Sequence, residues 1–108
     1  MKIKLLGVLA IVIAISASAF TAKPTSSNFY IYNSSSVLQA DIQNINNYLA
    51  SAADPCTTSD ANVCGVTLTT AHTVGTTPVP TEFNAEKSDL WTSQQNGARA
   101  DSHIGMKP

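Results

Sequence analysis

Cys56 and Cys64 are the only two cysteines of the 108-residue chain, and seven residues separate them. A redox-active pair has two residues between its cysteines, and a structural zinc site needs four ligands, so this spacing favours neither chemistry. In an oxidising compartment, two cysteines of a small exported chain normally pair with each other. The sequence therefore predicts a structural Cys56–Cys64 disulfide that closes a short loop.

The carboxylates and histidines offer several patterns that resemble catalytic groups. Glu82 and Glu86 lie four residues apart, as paired carboxylates on one helix face would, but catalytic acids need burial to shift their pKa. Asp101–Ser102–His103 contains the three residue types of a catalytic triad, yet triads are assembled from separated positions of the chain. A hydrolase would need a pocket that brings His72 together with Glu82 or Asp89. We therefore predict no catalytic residue and a protein that is not an enzyme.

Metal and cofactor sites are not predicted either. Asp54, Asp60 and Asn62 surround the cysteine loop and resemble a calcium site, but they lack the alternating oxygen spacing and the bidentate glutamate of such loops. Polar side chains that stabilise a turn explain them better. The chain also contains no glycine-rich phosphate-binding loop, so no cofactor is expected.

The N-terminus has the three zones of an export signal. Lys2 and Lys4 precede the apolar stretch 5–15, and Ala17 and Ala19 have the spacing that a signal peptidase requires. An uncleaved membrane anchor is the alternative, but the apolar stretch is short against the roughly 20 residues that cross a bilayer as a helix. We predict cleavage after Ala19 and a mature protein without membrane attachment.

The predicted mature chain is acidic. Without residues 1–19 it has four basic and seven acidic residues, and 4 − 7 gives a net charge of −3. This balance argues against nucleic acid or an anionic membrane surface as a partner. The remaining 89 residues (108 − 19) can bury only a small core, so a disulfide would contribute much of the stability.

The first half of the mature chain predicts a strand, a helix and a second strand. Residues 20–28 are polar and contain a proline, so we expect a flexible leader. Phe29–Tyr32 has strand composition, with Phe29 and Ile31 on one face. Apolar residues then recur every three or four positions and predict an amphipathic helix over Val37–Ala53, while Val63–Thr70 has the alternation of a strand.

The second half is less regular. Val74–Pro80 is rich in proline and threonine and predicts an extended connector. Thr81–Trp91 can form a short second helix with Thr81 as its N-cap and Phe83 and Leu90 facing inward. From 93 to 108 the composition becomes polar, so we expect a disordered tail.

These elements together predict a small single α+β domain over residues 29–92. It would contain two or three short strands with one amphipathic helix packed on them, joined by the disulfide and preceded by the signal helix at 1–19. The order of features resembles a group of small exported proteins of unknown function from Bacteroidota. The shared features are a lysine-led signal that ends near Ser18-Ala19-Phe20, an aromatic strand, and the paired-cysteine segment Cys56–Leu68. The resemblance implies export and paired cysteines, but no activity.

Function is therefore expected to be binding rather than catalysis. We predict an exported, non-enzymatic binding or interaction protein of the periplasm or cell surface, with an unknown protein or glycan partner. The alternative is a structural or self-assembling surface subunit, in which the Phe29–Tyr32 strand, the neutral helix face or the Val74–Pro80 segment pairs with other copies.

Overall fold

A four-stranded antiparallel sheet forms the centre of the structure, a computed structural model that describes residues 25–108. Its strands are β1 (Ser26–Tyr32), β2 (Tyr48–Ala50), β3 (Asn62–Thr73) and β4 (Ile104–Lys107), in the order β2-β1-β3-β4. The helices are the single turn α1 (Gln39–Ile42), a 3₁₀ turn at Ile45–Asn47 and the long helix α2 (Pro80–Asn96). The predicted α+β class is confirmed, with four strands instead of two or three.

The core lies between one face of the sheet and the helices. It consists of twelve buried side chains from all four strands, α1 and α2: Tyr30, Tyr32, Ile42, Tyr48, Ala50, Val63, Val66, Leu68, Phe83, Leu90, Ile104 and Met106. Three aromatic rings form its centre, because the Tyr48 ring lies 5.1 Å from that of Tyr32 and 4.9 Å from that of Phe83. Tyr30 and Tyr32 share the core face of β1, as the alternation predicts. Phe29 is buried on the opposite face, against Gly65.

The predicted signal peptide, with Ala17, Ala19 and the cleavage after Ala19, lies outside the described residues, as does the first part of the predicted leader. The rest of that leader is not flexible in the structure. Ser26 and Ser27 belong to β1 and pair with Thr73 and His72 of β3. Among residues 25–108, no helix has the length and hydrophobicity required to cross a membrane.

The amphipathic helix predicted over Val37–Ala53 is wrong. Only Gln39–Ile42 is α-helical, and Asn44 has an extended backbone because its side chain accepts a hydrogen bond from the N–H of Asn46. The chain then forms β2, which pairs with β1 through Tyr30↔Ala50 and Tyr32↔Tyr48. A continuous helix would point Tyr48 away from its apolar stripe. In the strand, the Tyr48 ring is fully buried and its hydroxyl donates to the Ile42 carbonyl at 2.6 Å.

The main helix of the fold is instead α2, which the sequence predicts only as a short second helix. It begins at Pro80, where the fixed φ and missing N–H of proline are tolerated, and no side chain caps it, so the prediction of Thr81 as N-cap is wrong. It ends before Gly97, whose φ of 63° is the left-handed conformation that suits glycine at a helix C-terminus. Phe83 and Leu90 are buried, as predicted.

The disordered tail predicted for residues 93–108 is also wrong. The helix α2 continues to Asn96, and β4 adds to the free side of β3 with Val63↔Met106 and Val66↔Ile104 in register. Ile104 and Met106 are buried in the core. The alternation of two apolar residues over four positions is too short to distinguish a strand from a tail by sequence.

The predicted disulfide between Cys56 and Cys64 is confirmed, with the two Cα atoms 5.6 Å apart. It joins the loop between β2 and β3 to β3 itself, whereas the sequence placed it between a helix and a strand. Thr57 exchanges two backbone hydrogen bonds with Met106, so this loop also pairs with the outer side of β4. Gly105 leaves the space for the bridge, because a Cβ there would lie 2.5 Å from the Cys56 Cβ.

Candidate functional site

A groove with a volume of about 390 Å³ lies between β3 and the first half of α2. Threonine hydroxyls and Leu68 line its β3 side, Ala85 and two glutamates line its α2 side, and a histidine lies at its end. The full lining is Thr67, Leu68, Thr69, Glu82, Ala85, Glu86 and His103. This groove therefore offers both apolar contacts and hydrogen-bonding groups to a ligand.

Glu82 and Glu86, the predicted carboxylate pair, both face the groove but have different roles. Glu82 holds a bulge of β3. The pairs Ser27↔His72 and Phe29↔Thr67 are two positions apart on β1 but five positions apart on β3. The bulge therefore contains three extra residues on β3. The Glu82 carboxylate accepts hydrogen bonds from the N–H groups of Thr69 and Thr70, both at 3.0 Å, and from the Thr70 hydroxyl. Its oxygens satisfy donors that the sheet leaves unpaired.

His72 does not belong to the groove. Its Nδ1 lies 2.7 Å from the Thr77 carbonyl oxygen, so this nitrogen carries the hydrogen and closes the turn after β3. The groove contains Glu82 but neither His72 nor Asp89. The loop oxygens that resemble a calcium site are also engaged locally, since Asp54 accepts from the Cys56 N–H and Asp60 from the Thr57 hydroxyl.

A cluster of Glu86, Asp89, Asp101 and His103, here called the acidic cluster, lies at the end of the groove. His103 Nδ1 is 3.0 Å from Glu86 Oε1 and 3.6 Å from Asp101 Oδ1. The Asp101 carboxylate also accepts a hydrogen bond of 2.7 Å from the His103 backbone N–H. Two residues from the helix and two from the segment before β4 thus converge at one place.

Ser93 positions the segment that contains Asp101 and His103. Its side chain is fully buried, and its hydroxyl donates to the Asp89 carbonyl and accepts from the Ala100 N–H at 2.8 Å. The Ala98 N–H donates to the Ser93 carbonyl oxygen. Because a buried hydroxyl with both functions satisfied is costly to displace, the turn at residues 97–101 is held against α2.

The carboxylates of the acidic cluster shift one another's pKa. Burial raises the pKa of Glu86, and the hydrogen bond with Asp101 adds to the rise. The hydrogen bond with Asp101 likewise raises the pKa of Asp89. Burial also acts to raise the pKa of Asp101, but hydrogen bonds from Glu86, from the His103 N–H and from Asp89 lower it overall. Like charges at short distance cannot all ionise freely, so Asp101 is the carboxylate that ionises first.

The sequence analysis assigned no function to Asp101 and His103. The structure places His103 in the lining of the groove and Asp101 in contact with His103. Their adjacency in the chain does not form a triad, and Ser102 makes no hydrogen bond to His103 among the described residues. The signal that matters is the contact of His103 with Glu86, 17 residues away. The local sequence does not predict that contact, because the contact depends on the pairing of β4 with β3.

Comparison of the chain with protein-family models, with curated proteins and with solved structures gave no match. The fold and the groove are therefore the basis for any functional proposal.

We expect Glu82→Gln to destabilise the protein at neutral pH and to have little effect in acid. The Thr70 hydroxyl and the N–H groups of Thr70 and Thr69 hold the pKa of Glu82 below its usual 4.5. A lowered carboxyl pKa stabilises the folded state above that usual value, and the contribution is lost as the pH falls through the folded-state pKa. Urea denaturation of both proteins at pH 7 and pH 3 measures this difference.

Thr70→Val provides the matched comparison, because it removes one donor to Glu82 and leaves the carboxyl group in place. It should also destabilise the protein more at pH 7 than at pH 3, so that the difference in stability between the two pH values becomes smaller than in the wild type. An equal loss of stability for Glu82→Gln at both pH values would show that the carboxylate does not hold the bulge.

Proposed function

We propose that this chain is an exported, non-enzymatic binding protein of the periplasm or cell surface, and that the groove between β3 and α2 contacts its partner. The groove itself is the observation that carries the proposal. It is open to solvent along Ala85, which is exposed, and offers hydroxyl groups from Thr67 and Thr69. Neutral hydrogen-bonding groups beside a short apolar floor suit an extended peptide or a glycan.

The disulfide supports export. Both cysteines are oxidised in the structure, and disulfides of this kind persist in the periplasm and outside the cell but are rare in the cytosol. The net charge of −3 for the predicted mature chain supports a neutral or cationic partner over nucleic acid.

Within the described residues, the side-chain contacts of His103 include no nucleophile. A histidine that activates a nucleophile hydrogen-bonds to a hydroxyl or thiol. Among residues 25–108, the ring of His103 pairs with Glu86 and Asp101, and no thiol is free.

Self-assembly through strand edges receives less support. The Phe29–Tyr32 segment belongs to an inner strand, because β1 pairs with both β2 and β3. On the β2 edge, Ala50 exchanges hydrogen bonds with Thr76 and Gly75. The β4 edge is covered at Met106 by Thr57. Edges covered in this way do not template strand addition.

A photoreactive benzophenone amino acid at position 85 tests the binding function in the native host. We expect ultraviolet light to produce one defined adduct in the cell-envelope fraction, which mass spectrometry then assigns to a protein or a glycan. Asn84 provides the control position, since it is exposed on the same helix about 100° around the axis and does not line the groove. Equal adducts from both positions, or none from position 85, would refute the groove as the binding surface.

A further inference from the structure

Within the described residues, the carboxylates of the acidic cluster are not paired with a lysine or arginine. The cluster brings three carboxylates next to one imidazole. Buried or half-buried carboxylates are normally paired with a cation or hydrogen-bonded by several donors. Among residues 25–108, the His103 imidazole is therefore the one basic group in contact with these carboxylates.

One carboxylate oxygen of the cluster also lacks a hydrogen-bond donor. Glu86 Oε2 is buried and has no hydrogen-bond partner. Among the described residues, no other buried side-chain nitrogen or oxygen lacks a partner. A buried acceptor without a donor costs about 1–3 kcal/mol, and more for a charged group. A cation bound by the Glu86 carboxylate would lie close to this oxygen and offset the charge of the neighbouring carboxylates.

The ligand atoms have the types and separations of a transition-metal site. Two ligands of one tetrahedral Zn²⁺ lie about 3.4 Å apart when each is about 2.1 Å from the metal. His103 Nδ1 lies 3.0 Å from Glu86 Oε1 and 3.6 Å from Asp101 Oδ1, and all three ligand atoms lie within 4.8 Å of one another. An imidazole nitrogen with carboxylate oxygens favours zinc and similar cations over calcium or magnesium, which prefer oxygen alone.

We propose that Glu86, Asp101 and His103 bind one divalent transition-metal cation of the zinc type. Asp89 lies beside Asp101. The cation joins α2 to the segment before β4 and fixes one end of the groove. The proposal goes beyond the binding function above, since the cation binds whether or not the groove has a macromolecular partner.

Isothermal titration of ZnCl₂ into the mature protein, secreted from the full-length chain and stripped with a chelator, tests this proposal. We expect one Zn²⁺ per chain. His103→Gln and Glu86→Gln should each weaken binding by at least about tenfold, because even residues that only orient metal ligands contribute about 10–100-fold. The His103 side chain is 60% exposed, so its replacement leaves the fold intact, which circular dichroism verifies.

His72→Gln is the matched control, because it removes the only other histidine and should leave zinc affinity unchanged. Equal losses for both histidine variants would overturn the site, as would the absence of saturable zinc binding. Saturation by Ca²⁺ with no dependence on His103 would overturn the assignment to a transition metal. The zinc titration does not depend on the photo-crosslinking experiment. Each of the two proposals can therefore be refuted without affecting the other.

Discussion

Phe83→Ala should lower the free energy of unfolding by about 3–5 kcal/mol, the largest effect we expect from a single substitution. Phe83 is 1% exposed, and its ring packs on that of Tyr48 at 4.9 Å. It is the side chain by which the first half of α2 contacts the aromatic centre of the core. Because small domains have only a few kcal/mol of stability in total, much of the variant should be unfolded at room temperature. Urea denaturation followed by circular dichroism measures the loss.

Phe83→Leu and Asn84→Ala separate packing from helix propensity. Leucine keeps most of the buried volume and should cost much less than alanine, while alanine at exposed position 84 should leave stability almost unchanged. A loss below about 1 kcal/mol for Phe83→Ala would mean that α2 does not depend on this contact.

Removal of the disulfide should have the second largest effect. Cys56 and Cys64 are eight positions apart, and the loop-entropy relation for a ring of this size gives about 2–3 kcal/mol of stabilisation. The loss should exceed that of most surface substitutions, because the same loop pairs through Thr57 with β4. The double variant Cys56→Ala/Cys64→Ala, compared with the oxidised protein by urea denaturation, measures it.

Reduction provides an internal control for this prediction. Dithiothreitol should lower the denaturation midpoint of the wild-type protein and leave that of the double variant unchanged. Gly105→Ala tests the packing around the bridge, since the added methyl group would meet the Cys56 Cβ at 2.5 Å. A wild-type midpoint that does not respond to reductant would show that the bridge contributes nothing to stability.

The sequence was sufficient for features whose signal is local. The cysteine pair, the alternation of β1 and β3, and the inward positions of Phe83 and Leu90 follow from residue type and short-range periodicity. The α+β class follows from the same patterns. Each depends on neighbours within a few positions, where propensity and patterning act directly.

The sequence was misleading where a tertiary contact outweighs a local preference. The apolar spacing of Val37–Ala53 fits a helix, but burial of the Tyr48 ring against Tyr32 and Phe83 requires a strand. The side chains of Asn44 and Asn47 weaken the helix further by competing for backbone hydrogen bonds. Tertiary packing energies of several kcal/mol exceed helix propensities of a few tenths per residue.

The acidic cluster could not be derived from the chain alone. Glu86 and Asp89 are helix residues with no local partner, and Asp101 and His103 fall in a segment predicted to be a tail. Only the return of β4 beside β3, held by the hydrogen bonds of Ser93, places them together.

By itself the sequence determined the oxidised cysteine pair, the acidic charge and the positions of the main apolar faces, because each is set by residue type and short spacing. The tertiary structure alone decided that residues 48–50 form a strand, that residues 104–107 complete the sheet, and that four titratable side chains meet at the end of one groove. These outcomes depend on contacts between residues far apart in the chain, and the free energy of those contacts becomes available only when the whole core assembles.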